Sequence, residues 1–149
     1  MNTVDCIKTR RSVRKFTEEK VPHEVLEQLV ELSRWAPSWK NTQPVRYVVV
    51  DDPVLKERIA RECIPGQGFN TKTINRAAAL AVVTYIPGLS GQGDAPLGTC
   101  ILGIFDADAA GRLLELEGQR AACLIAMGYP EQWKNGPGRK ETEELLSFR

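Results

Sequence analysis

Seven consecutive residues, Ala79–Tyr85 (ALAVVTY), carry no charge and show no alternation of apolar and polar side chains. A strand with one wet face alternates, whereas a continuous short apolar run reads as a strand covered on both faces. A strand of that kind needs a layer above it and a layer below it. The longest apolar run, Ala77–Val83, is far too short to cross a bilayer. The chain is therefore expected to build a layered domain around this segment.

The flanking sequence supplies the layers. Thr3–Arg10 reads as a short helix with Val4 and Ile7 on one face. Pro22 opens a second helix, whose Glu24 and Glu27 suit the N-terminal dipole. Val25, Leu29, Leu32 and Ala36 recur at helical spacing as its expected buried stripe, and Pro37 stops it. Tyr47–Val50 is a β-rich run closed by Asp51-Asp52-Pro53. Pro53–Arg61 follows as a helix with Leu55, Ile59 and Ala60 apolar, and Pro65–Asn70 as a glycine-bearing loop. After the loop-like stretch Pro87–Pro96 and the apolar Thr99–Phe105, Asp106 caps a helix through Leu116. Ala109, Ala110, Leu113 and Leu114 of that helix are expected to face inward. Ala121–Met127 is a third strand ended by Gly128-Tyr129-Pro130, and a glycine-proline tail leads to an amphipathic Thr142–Phe148. Strands alternating with helices give an α/β or α+β layered domain, with strand order left open.

The length of 149 residues fits one domain. Hydrophobic residues at 42% and charged residues at 26% are ordinary globular values, which excludes collagen-like and disordered classes. Net charge +1 argues against a chain that wraps nucleic acid. Cys6, Cys63, Cys100 and Cys123 are scattered, with no C-x-x-C pair, so they read as reduced thiols rather than a zinc site. The single histidine, His23, lies at a helix start and is expected to be exposed and without a catalytic role. The N-terminal MNTVDCIKTRR has an acidic residue and no hydrophobic segment of signal-peptide type, so a cytoplasmic location is expected. Gly66-Gln67-Gly68 and Gly91-Gln92-Gly93 extend to neither a dinucleotide fingerprint nor a P-loop. Trp35 is expected in the core, with Trp39 and Trp133 in loops, and Glu141, Glu143 and Glu144 on a solvated face.

Two segments could carry chemistry. Arg10-Arg11-Ser12-Val13-Arg14 puts three guanidiniums and a hydroxyl within five residues. Guanidinium forks match phosphate oxygens bidentately, although a solvated basic face is as common an explanation. Pro37-Ser38-Trp39-Lys40-Asn41-Thr42-Gln43-Pro44 holds amide and hydroxyl side chains between two prolines. Such a loop suits the edge of a polar heteroaromatic, or is simply a stiffened helix-to-strand connection.

Taken together and in order, these segments resemble the nitroreductase family of FMN-dependent oxidoreductases. The resemblance rests on R-R-S-V-R-x-F near the N-terminus, then A-P-S-x-x-N-x-Q-P before a hydrophobic strand. It continues at Gly98-Thr99-Cys100-Ile101-Leu102-Gly103, at Asp106–Leu116, at the strand ending Ala126-Met127-Gly128-Tyr129-Pro130, and at Gly138-Arg139-Lys140. One departure is plain. About a dozen residues join Tyr85 to Gly98, where the family carries a long central helix, so the chain looks shortened in the middle. It is either a shortened member or a chain from which a segment is absent.

The resemblance implies a single nitroreductase-like FMN-binding domain over 1–149, with a three-layer fold and a central mixed sheet flanked by helices. It implies a homodimer with FMN at the subunit interface. Arg10 and Ser12 resemble phosphate and ribityl contacts, with Arg11 beside them. Arg14 resembles the basic residue near the N1/O2 edge of the flavin, where a cation favours reduction. Pro37, Ser38, Trp39, Asn41 and Gln43 resemble the loop that reaches the partner's flavin. Leu102 and Gly103 resemble the segment facing N5 and O4, and Arg139 a C-terminal phosphate contact assisted by Lys140. Asn70 resembles a contact to the pyrimidine edge, with a plain loop asparagine as the alternative.

The implied chemistry is ping-pong transfer from NADH or NADPH through flavin N5 to an electron-poor small molecule such as a nitroaromatic or quinone. It needs no catalytic side chain, metal, nucleic acid or membrane. The alternatives are a flavin-binding or interaction module without turnover, and a small nucleic-acid-binding domain using Arg10–Lys15.

Overall fold

A computed structural model describes residues 2–64, 66, 68–89, 105–132 and 142–145, with the backbone alone at Trp39, Thr142 and Glu143. The elements run α1 (Thr3–Thr9), α2 (His23–Ser33), a 3₁₀ turn (Trp39–Asn41), β1 (Val45–Val50), α3 (Pro53–Glu62), α4 (Gly68–Arg76), β2 (Ala79–Tyr85), α5 (Ala107–Leu113), β3 (Arg120–Met127) and α6 (Thr142–Leu145). The segments 90–104 and 133–141 lie outside the described residues, as do Leu102, Gly103, Arg139, Lys140, Cys100 and Trp133.

Side-chain chemistry sets the helix starts. The Asn2 carboxamide accepts the Asp5 amide, the Asp52 carboxylate accepts the Leu55 amide, and the Asp106 carboxylate accepts the Ala109 amide at 2.8 Å. Each satisfies a donor that the first turn leaves orphaned. α5 stops at Leu113, short of the expected Leu116. There Glu115 takes a left-handed φ of 52° and the Leu116 amide donates back to the Gly111 carbonyl, closing the helix end.

β2 occupies the centre of the sheet, between β1 and β3, as its apolar run requires. Only Val83 of its seven residues escapes full burial. Both pairings are antiparallel, with Val48 opposite Val82 and Val82 opposite Leu124. The described sheet is thus antiparallel where a mixed one is expected, because each helical connection returns the chain reversed to the neighbouring strand. Val50, Leu80, Val82 and Leu124 pack with Ile59, Ala60 and Cys63 of the α3 region, Ile74 of α4, and Ala109 and Ala110 of α5. Residues alternate across a strand, so Val49 points to the other face, where it shares a cleft with Leu26 and Val30 of α2. The result is a layered α+β arrangement, with α3, α4 and α5 on one face of the sheet and α2 beside Val49 on the other.

Three sequence expectations are corrected. The stripe Val25, Leu29, Leu32 does not face the core; all three are exposed, Leu32 at 71%, and Leu26 is the buried residue of α2. Ala36 lies beyond the helix. Periodicity reports an apolar face but not what covers it, and the sheet takes the adjacent face. Trp35 is 76% exposed, with the Arg34 guanidinium 5.4 Å from a ring centroid. The expected loop ending at Asn70 gives way to α4 from Gly68, so Asn70 is helical.

Candidate functional site

α1 delivers the basic segment. Arg10 is its C-cap, extended at φ −53° and ψ 135°, and its amide donates to the Cys6 carbonyl. From there the chain leaves the helix in an extended path. Phe16 anchors it: buried, it bridges Pro130, while the Thr17 amide donates to the Tyr129 carbonyl and the Glu131 amide to the Lys15 carbonyl. Gly128 makes this possible. A Cβ there would lie 2.9 Å from Phe16 Cδ1 and 3.2 Å from the Ala78 amide nitrogen.

Among the described residues, the strip between these anchors is rich in unused donors. Arg11 Nη1 donates to the Lys8 carbonyl (2.9 Å) and the Arg10 carbonyl (2.8 Å), whereas Arg11 Nε is buried with no partner. Arg14 Nη1 reaches the Ser12 carbonyl at a long 3.5 Å. Arg14 also lies over the Phe69 ring, 5.9 Å from its centroid. Ion pairs among the described residues involve His23, Arg34, Arg58 and Arg61, and none involves Arg10, Arg11 or Arg14.

The structure therefore brings Arg14 to the first turn of α4, where Phe69 and Asn70 sit, while Arg10, Arg11 and Ser12 lie along the segment that leads to it from α1. Asn70 is half-buried, on a helix tied to α3 by the Thr71 hydroxyl donating to the Ala60 carbonyl. Phe69 is the functional candidate that sequence reasoning missed. Its signal was adjacency to Asn70 and spacing of four from Thr73, whose hydroxyl donates to the Phe69 carbonyl.

Pro37, Ser38, Trp39, Asn41 and Gln43 form a second group, the connection from α2 to β1. Lys40, Asn41 and Gln43 all take positive φ, at 47°, 54° and 47°. For residues with a Cβ this costs about 1–2 kcal/mol each, so other bonds must hold the loop. The Ser38 hydroxyl accepts the Gln43 amide, the Gln43 carboxamide donates to Asn41 Oδ1, and Arg46 Nη1 donates to the Gln43 carbonyl. The Thr42 hydroxyl donates to the Leu89 carbonyl at 2.6 Å, tying the loop to the turn after β2. The polar groups of this loop are thereby fixed before any ligand arrives.

Elsewhere the titratable groups explain structure rather than chemistry. His23 is exposed as expected, and its Nε2 pairs with Asp51 at 2.8 Å; the Asp51 hydrogen bond and charge raise the His23 pKa. The buried Lys56 ammonium donates to the Ala77 and Ala78 carbonyls after α4, and burial lowers its pKa. Burial, with help from Asp106, pushes the Cys63 thiol up to about 11, an unreactive state. Cys6 is exposed, and Cys63 and Cys123 are buried. The cleft between α2 and β1, about 400 Å³, is lined by His23, Asp51 and residues of α2, and by none of the residues expected at a cofactor site. Among the described residues no cluster of three metal-ligating side chains occurs, and no helix is long and apolar enough to cross a membrane.

Comparison with known proteins bears on this arrangement. A profile described as "Nitroreductase family" matches residues 7–80, a span holding the basic strip, the polar loop, the first turn of α4 and the start of β2. The chain belongs to the nitroreductase family. A nitroreductase family protein from Streptococcus pneumoniae shares the fold at a TM-score of 0.81 and 16% identity, over 99% of this chain and 100% of that one. A structure from Exiguobacterium sibiricum, solved in complex with FMN, aligns at a TM-score of 0.75 and 17% identity, over 100% of this chain and 98% of that one. These identities speak to the fold alone.

Among curated relatives, an iodotyrosine deiodinase of Nematostella vectensis is 47% identical over 53 residues, or 36% of this chain and 20% of that protein. One of Thermotoga neapolitana is 42% identical over 59 residues, or 40% of this chain and 32% of that protein. The chain thus spans a third or less of the length of these curated relatives.

Proposed function

We propose that this nitroreductase-family chain is an FMN-dependent oxidoreductase, taking electrons from NADH or NADPH and passing them to an electron-poor small molecule such as a nitroaromatic or a quinone. The observation that carries the reading is the basic strip. Three guanidiniums stand without carboxylate partners among the described residues, and the Arg11 Nε is buried and unsatisfied. A buried donor of this kind costs about 1–3 kcal/mol unless an acceptor meets it. A phosphate monoester supplies three acceptor oxygens and a double charge, so the donor set fits the phosphate end of FMN.

Arg10, Arg11 and Ser12 would bind that phosphate and the chain beside it, with Arg139 and Lys140 contributing from the tail. Arg14 would place a permanent positive charge beside the ring system, favouring its reduced, anionic state. Asn70 would orient the ring through its carboxamide. Ser38, Asn41 and Gln43 would present fixed donors and acceptors, with Pro37 and Trp39 closing the slot and Leu102 and Gly103 offering backbone amides. FMN, when bound, supplies the two-electron exchange between nicotinamide and acceptor. The protein's part is to anchor, orient and exclude water.

A homodimer is part of this proposal. Ile7 of α1 is 72% exposed, and Leu29, Leu32 and Trp35 form an apolar surface on and after α2. Apolar patches of this sort mark association surfaces, and a second copy of the chain would cover them. The test is flavin titration of the wild type, Arg10→Ala and Arg139→Ala. A charge-assisted phosphate contact contributes about 1.5–3 kcal/mol, so each variant should weaken FMN binding roughly 10- to 100-fold. Unchanged dissociation constants in both remove the phosphate site. Retained flavin without nicotinamide oxidation would favour a binding module over an enzyme.

A further inference from the structure

We propose that Phe69 is a positioning residue for Arg14, its ring face holding the guanidinium where it favours the reduced state of a bound flavin. The inference rests on the flavin reading and adds a residue to which that reading gives no part.

Arg14 has little else to hold it. Its side chain is exposed, its one hydrogen bond among the described residues spans 3.5 Å to the Ser12 carbonyl, and no described carboxylate pairs with it. A guanidinium on a long stem samples many rotamers unless something selects among them. The Phe69 ring is 5.9 Å away, within the range in which the negative face of an aromatic attracts a cation. Phe69 is also 65% exposed, so core packing does not account for its ring.

Both ends of the contact are fixed. Lys15 and Thr17 are hydrogen-bonded to the segment after β3 around the buried Phe16, and α4 is bonded to α3 through Thr71. Two anchored backbones leave the side-chain pair as the adjustable part, the condition under which a supporting contact sets the precision of a site.

Removing the ring face should cost Arg14 about two- to fivefold in occupancy of its held position, the worth of an exposed cation–π pair. Phe69→Leu keeps an apolar side chain at an exposed site, and Phe69→Tyr keeps the ring face. The first measurement needs no flavin: NMR of the Arg14 Nε–Hε group, assigned by its loss in Arg14→Lys. An upfield ring-current shift is expected in the wild type and Phe69→Tyr, and is lost in Phe69→Leu.

The second measurement is flavin titration with the midpoint potential of the bound flavin. Phe69→Leu should bind oxidised FMN nearly as the wild type does. Its preference for the reduced form should fall two- to fivefold, a drop of about 10–20 mV for a two-electron couple, with Phe69→Tyr restoring it. No ring-current shift in the wild type, or a potential that stays or rises when the shift is lost, overturns the proposal. A wild type that binds no FMN overturns the flavin reading and the proposal with it, and is recognised because every variant fails alike.

Discussion

Gly128→Ala tests how the fold holds the basic strip in place. Gly128 follows β3 directly and lies under Phe16, the anchor of the extended segment. A Cβ at this position would stand 2.9 Å from Phe16 Cδ1, 3.1 Å from Phe16 Cγ and 3.2 Å from the Ala78 amide nitrogen. Ordinary carbon contacts begin near 3.5 Å, so the ring must move by several tenths of an ångström. It cannot do so freely, because Lys15 and Thr17 on either side of Phe16 are hydrogen-bonded to Glu131 and Tyr129. Overpacking of this kind costs about 1–3 kcal/mol.

Urea unfolding should show that loss for Gly128→Ala, with a fall in melting temperature of about 2–4 °C per kcal/mol. Phe16→Ala removes the obstructing ring and should itself cost about 3–5 kcal/mol. In that background Gly128→Ala should cost less, leaving only the Ala78 contact, with a coupling of about 1–2 kcal/mol. Equal cost of Gly128→Ala in both backgrounds would refute the claim that this glycine exists to seat Phe16.

Other outcomes follow from single contacts. Arg14→Ala should lower the midpoint potential of bound flavin, and a value that stays or rises would contradict the charge role given to Arg14. Lys56→Met strips the Ala77 and Ala78 carbonyls of a buried donor and should destabilise by about 1–3 kcal/mol in urea melts. Glu115→Gly removes a side chain from a left-handed position at the end of α5. It should stabilise by about 0.5–1 kcal/mol in the same assay, the strain relieved less the entropy of glycine.

His23 and Asp51 give a pH signature. The His23 pKa is raised above 6.5 by Asp51, so its contribution is complete below 6.5 and lost as pH climbs through the raised value. Asp51 is lowered below 3.8, chiefly by its hydrogen bond to His23, so its share is complete above 3.8 and lost as pH falls through the lowered value. The difference in melting temperature between wild type and His23→Gln should therefore be widest near pH ~5 and close at alkaline pH.

Much of the fold was legible because certain residues leave few choices. Ala79–Tyr85 admits only a doubly covered strand, and β2 falls on those residues. Asp106 announces a helix start, and its carboxylate caps α5. α4 was not legible: Thr71, Thr73 and Asn75 are weak helix formers, the segment opens on glycine, and Thr73 and Ile74 are its only buried residues. Its stability comes from α3, which no local pattern reveals. The exposed stripe of α2 misled for the complementary reason, since an amphipathic period identifies an apolar face without naming its cover. The chemistry of Arg10–Arg14 could be read from residue types, but its approach to Phe69 is a tertiary contact between distant segments.

The central claim is that the basic strip and the polar loop make a flavin site, and the visible absorbance spectrum tests it most directly. Purified protein is mixed with FMN, desalted and scanned. Flavin bands that remain with the protein, and weaken in Arg10→Ala, are the predicted result. A colourless protein after desalting would contradict the account.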